Sequence, residues 1–111
     1  MGFAILTAAP PEVSSVITGT WTYTSGTITT GGTSQQMFAS NANRKRIRIW
    51  NPASSIESLY VKYGAAATVS NASEEIQPGT VYDTLGSPLS TQAINIISAT
   101  TGTAFGGEEL A

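Results

Sequence analysis

Apolar and polar residues alternate in short runs along this chain. The clearest run sets Ile47 and Ile49 between Arg46, Arg48 and Trp50. A period of two is that of a half-buried strand. Asn51-Pro52 ends the run, because proline brings no ladder donor and restricts the residue before it. After a polar connection over residues 53–58, Leu59, Val61 and Tyr63 alternate with Tyr60 and Lys62 until Gly64. This strand–loop–strand unit predicts one apolar face made of Ile47, Ile49, Leu59 and Val61.

Shorter runs flank it. In Thr20-Trp21-Thr22-Tyr23-Thr24 the aromatics share one side and the threonines the other, a strong strand pattern. Ser25-Gly26 reads as a turn, with Thr27-Ile28-Thr29 opening the next strand. Gly31-Gly32 supplies the positive φ angles of a tight turn. Pro78-Gly79 has the type II signature, with Pro second and Gly third. Val81-Tyr82 begins a short strand. Residues 93–98, Ala-Ile-Asn-Ile-Ile-Ser, form the most hydrophobic candidate and are expected in the middle of a sheet. Thr101-Gly102 turns into a last strand at Thr103-Ala104-Phe105, and Gly106-Gly107-Glu108-Glu109 reads as a short acidic tail.

No window sustains a 3.6-residue period with caps. Strands recurring every 8 to 12 residues or so, with Gly, Pro and Asn between them, mark an all-β sandwich or barrel. The expected fold is a small antiparallel β-sandwich or barrel, jelly-roll-like, with seven or eight strands over residues 20–111. Residues 1–19 are expected to be an extended N-terminal arm. Ala8-Ala9-Pro10-Pro11 enforces a polyproline-like path, and Val13, Val16 and Ile17 are candidates for a short first strand. Phe3, Ile5 and Leu6 of this arm have no local core to join and are candidate contacts to a neighbouring subunit; a loose terminus is the alternative.

Composition narrows the function. The 111 residues suit one domain. There is no cysteine and no histidine, which removes disulfides, thiolate metal sites and the commonest general base. Charged residues make up 11% of the chain, about half the usual share, so faces covered by neighbours are expected. The net charge of −2 gives no global field for nucleic acid. The Phe3–Leu6 patch lacks the basic flank and length of a secretory signal. No stretch approaches the ~20 apolar residues of a membrane helix. A soluble protein made in a cytoplasm, with no membrane partner, is expected.

Serine and threonine are abundant, but with no histidine and no Ser-x-x-Lys pattern no nucleophile has a base beside it in the sequence. Glu74 and Glu75 are adjacent, so a strand would point them to opposite faces. Glu57 and Asp83 are lone acids on turn-like segments, without a calcium-loop pattern. Gly31-Gly32 is followed by no lysine or helix of a phosphate loop. No enzyme, metal site or cofactor is expected. Arg44, Lys45, Arg46 and Arg48, however, hold four of the five cations. Three readings stay open: a solvated polar face, phosphate contact, or subunit contact in which arginine forks meet Glu108, Glu109 or an acidic neighbour.

Residues 31–109 carry an ordered pattern: GGTSQQMFASNANRKRIRIWNP, then LYVKYGAAATVS, then IQPGTVYDTL, then INIISATTGTAFGGEE. It resembles small β-rich virion proteins of tailed bacteriophages. The resemblance implies a structural role and no active site. Within that setting, the sparse charge, the many small β-forming residues and the apolar arm suit a protein lying across subunit seams, so the leading expectation is a capsid decoration (cement) protein that binds the outer surface of the head and stabilises it, with the major capsid protein and copies of itself for partners; the resemblance implies a homotrimer. The alternatives are a receptor- or carbohydrate-binding module of a head or tail fibre, with Trp21, Tyr23, Trp50 and Tyr60 as an aromatic platform, and a neck or tail component.

Overall fold

The computed structural model describes residues 18–70, 72–85 and 89–111. The arm contacts Phe3, Ile5 and Leu6 and the candidate first strand at Val13, Val16 and Ile17 lie outside the described residues. Eight strands follow in chain order: β1 (Trp21–Thr27), β2 (Gln35–Phe38), β3 (Arg46–Trp50), β4 (Leu59–Tyr63), β5 (Glu74–Ile76), β6 (Val81–Asp83), β7 (Ile94–Ile97) and β8 (Ala104–Leu110).

They form two four-stranded antiparallel sheets, ordered β1-β8-β3-β6 and β2-β7-β4-β5. Strand 1 pairs with 8, 2 with 7, 3 with 6 and 4 with 5. The chain is thus one long antiparallel ribbon folded in half and rolled into two sheets, the jelly-roll arrangement of two Greek keys.

The alternation seen in the sequence sets the layers. Ile47 and Ile49 of β3 and Phe105 of β8 face Leu59, Val61, Ile76, Ile94, Ile96 and Phe38 across the sandwich. The four residues expected to form the apolar face are 0–1% exposed. β-branched side chains suit this role, since their restricted rotamers fit a pleated surface. The strand at Ile94–Ile97 sits inside its sheet, as its hydrophobicity predicts. The Pro78 turn closes with Thr80 N–H donating to the Gln77 carbonyl at 3.1 Å, and Gly79 takes the φ of +80° that a type II turn needs at its third position.

The strands depart from the local sequence pattern in two places. Ser25-Gly26 does not turn: β1 runs straight through it, in unbroken register with β8. Gly26 is small for a long-range reason, because the Phe105 ring lies 3.3 Å from where its Cβ would sit. Gly106-Gly107-Glu108-Glu109 is not a tail but the body of β8, which lies between β1 and β3. A Cβ on Gly106 would collide with the Trp50 indole, and one on Gly107 would come within 2.8 Å of the Arg48 carbonyl oxygen. Gly106 is what lets the Trp50 indole lie over β8.

Because Ile49 is fully buried between the sheets, Ile49→Ala is expected to cost about 2–5 kcal/mol in urea unfolding. A loss on the order of 0.5 kcal/mol or less, as for a surface change, would place Ile49 on the wrong face.

Candidate functional site: the outer face of the β1-β8-β3-β6 sheet

With Ile47 and Ile49 turned inward, Arg46, Arg48 and Trp50 must point out. Their cross-strand neighbours come with them: Glu108 beside Arg48 and Tyr23, Asp83 beside Arg48, Val81 beside Trp50, and Trp21 at the β1 end. Four charges form a ladder of alternating sign. Arg46 grips Asp83 with both arms of its fork, at 3.0 Å (Nε–Oδ1) and 2.7 Å (Nη2–Oδ2). Arg48 reaches Asp83 at 3.5 Å and donates to Glu108 at 2.9 Å. The hydrogen bond from Arg46 holds the Asp83 carboxyl below the usual carboxylate range, helped by the Leu85 N–H and the Arg48 charge, while Asp83 raises the Arg46 guanidinium.

Aromatic rings flank the ladder. The Arg46 guanidinium lies 5.9 Å over the Trp21 ring, within cation–π range. Tyr23 and Trp50 stack at 5.9 Å and 29°. Trp21 and Tyr23 are nevertheless 40% and 62% exposed, and Val81 and Leu85 stand open nearby.

The basic cluster therefore divides into three environments. Arg46 and Arg48 share one side, as the alternation predicts, and meet acids of their own chain. Lys45 donates to the Thr18 carbonyl at 2.6 Å. Arg44 is not a surface group. Its side chain is 0% exposed, its Nε meets Glu109 Oε2 at 2.6 Å, and its terminal nitrogens donate to the carbonyls of Ser90, Gln92 and Ala39. Asn41 adds an amide to Glu109 at 3.2 Å. Arg44 and Glu109 thus tie three chain segments to β8 at one end of the sandwich.

The residue that sequence reasoning undervalued is Asp83, the shared acid of the ladder. As a lone acid after Val81-Tyr82 it carried no local signal, because its partners are more than thirty residues away. Tyr60 does not join the aromatic group: it lies in β4, paired with Ile97 and Glu75 in the other sheet. Glu75 and Glu74 pair with Tyr60 and Val61 and so alternate faces, as their adjacency requires. At the loop end a cleft of about 320 Å³ lies between the 52–57 loop and the turn leading into β8. Among the described residues no group of three His, Cys, Asp or Glu side chains is placed to hold a metal ion. No described helix is long and apolar enough to cross a membrane. Comparisons with protein-family models, curated proteins and solved structures find no match to the chain.

Three outcomes follow from the charges. Arg44→Ala strands Glu109 and three carbonyls in the interior, and is expected to cost about 3–5 kcal/mol in urea unfolding. Arg46→Ala, at a solvent-screened pair, is expected to leave the midpoint close to wild type. For Asp83 the folded pKa is depressed. Its stabilisation is therefore full above the ordinary aspartate value, about 3.9, and is lost as pH falls through the lower folded value. The stability gap between wild type and Asp83→Asn should narrow on acidification through this window; a gap that widens would contradict the pairing.

Proposed function

We propose that this chain is a non-catalytic structural virion protein of a tailed bacteriophage, made in the host cytoplasm and bound as a decoration protein to the outer surface of the head. The jelly roll serves capsid and lectin domains alike, so the fold alone selects no role. The resemblance over residues 31–109 supports the virion setting. The observation that carries the reading is the outer face of the β1-β8-β3-β6 sheet.

That face has the composition of a protein interface, in which Trp, Tyr and Arg are enriched. Its charges are also paired within the chain. A partner can exclude water from it without stranding a single ion, which is the main cost of covering a charged surface. The paired acids equally disfavour phosphate as the partner, since each arginine already has a carboxylate. The fitting partner is a protein surface of aliphatic and backbone character, such as the major capsid protein. Attachment at many sites lets each contact be modest.

The clustering of Trp21, Tyr23 and Trp50 on one flat face also favours the second reading, a carbohydrate- or receptor-binding module, because flat rings beside fixed acids stack on sugar faces. Binding of purified protein to heads that lack it separates the two. Trp21→Ala/Tyr23→Ala is expected to weaken head binding at least tenfold, about 1.4 kcal/mol, with the fold intact. Unchanged head binding would overturn the decoration reading. Glycan binding abolished by the same substitutions would establish the module instead.

A further inference from the structure

A two-sheet sandwich has four edge strands, here β1 and β6 in one sheet and β2 and β5 in the other. Edges expose unpaired backbone groups, and proteins blunt them with shortness, charge, proline or bulges. Three of these edges are blunted. β5 is three residues long and carries Glu74 and Glu75. β6 is three residues long and carries Asp83. β2 is four residues long and irregular between Gln36 and Phe38.

β1 is different. It has seven residues, WTYTSGT, with no charge, no proline and no register break, and all but Thr24 are exposed. Its backbone polarity is settled by the bonds at its ends. Thr20 and Ala111 exchange both hydrogen bonds, at 2.7 and 3.1 Å, and Ile28 donates to Thr103 at 2.9 Å. Antiparallel pairs alternate, so Thr22, Thr24 and Gly26 turn their amides to β8. Trp21, Tyr23, Ser25 and Thr27 turn theirs to the open edge, where no described strand pairs with them.

We propose that this edge pairs antiparallel with β1 of a second copy, across a twofold axis at Thr24. That register alone uses all seven residues, and it brings together the residues whose amides point outward: Trp21 with Thr27 of the other copy, and Tyr23 with Ser25. It sets each large ring against a small side chain. Because β1 is uncharged, self-pairing brings no like charges together, so the seam suits a copy of itself. The result is an isologous contact made by about eight backbone hydrogen bonds, and one continuous eight-stranded sheet. The two aromatic faces then lie side by side, which doubles the surface available to a third partner. The pairing is twofold, so it builds a dimer and not the trimer that the resemblance implies. It stands independently of the decoration reading.

The test uses the purified full chain. Sedimentation equilibrium should show a concentration-dependent dimer. Thr24→Lys puts two ammonium groups opposite each other on the axis and should yield a monomer with an unchanged circular dichroism spectrum. Thr24→Cys, the only thiol in the chain, should oxidise to a linked dimer, since the central non-hydrogen-bonded pair places the Cα atoms about 4.5 Å apart, within disulfide reach. The amides of Trp21, Tyr23, Ser25 and Thr27 should gain exchange protection with concentration. A monomer at all concentrations, a trimer, a dimer indifferent to Thr24→Lys, or edge amides protected equally at every dilution would each overturn the proposal; the last would mean that the chain's own preceding residues cover the edge.

Discussion

The fold depends on one constraint: the isoleucines of the inner strands can leave water only if two sheets close face to face. Ile47 and Ile49 on one sheet and Ile94 and Ile96 on the other are each 0% exposed. At roughly 1.5–3 kcal/mol per buried aliphatic side chain, this stripe is the main driving force of so small a domain. Closure fixes everything outside it. Once alternate residues of β3 are committed inward, Arg46, Arg48 and Trp50 have no choice but the outer face. Cross-strand register then brings Glu108, Asp83, Tyr23 and Trp21 beside them.

β8 is the element through which this geometry is transmitted. It pairs with β1 on one side and β3 on the other, its outward Glu108 completes the ladder, and its inward Glu109 anchors Arg44. Neighbouring residues of one strand thus serve opposite purposes. Glu109 and Arg44 neutralise each other in the interior, where an unpaired ion is costly. Glu108 and Asp83 neutralise arginines at the surface, on a face where Trp21, Tyr23 and Val81 stand exposed beside paired charges. That combination supports a role in contact with other proteins.

Local pattern revealed the apolar face, the Pro78-Gly79 turn, the interior strand at Ile94–Ile97 and the shared side of Arg46 and Arg48, because each is decided by residues within a few positions. What escaped was decided at a distance. Gly26, Gly106 and Gly107 look like turn glycines, but each is small because Phe105, Trp50, or Met37 with the Arg48 backbone occupies the space of a side chain. Arg44 belongs to a run of cations that reads as surface, yet it is drawn inward by Glu109, sixty-five positions later. Asp83 has no local signature, since its role exists only after β6 pairs with β3.

The most direct measurement is amide hydrogen exchange, resolved residue by residue, across Ala104–Leu110. If β8 is the middle strand that joins β1 to β3, the amides of Phe105, Gly106, Gly107, Glu108 and Glu109 exchange only by global unfolding, as slowly as those of Ile47 and Ile96. Exchange at the rate of an unstructured tail would contradict the ladder, the buried anchor and the placement of the aromatic face together.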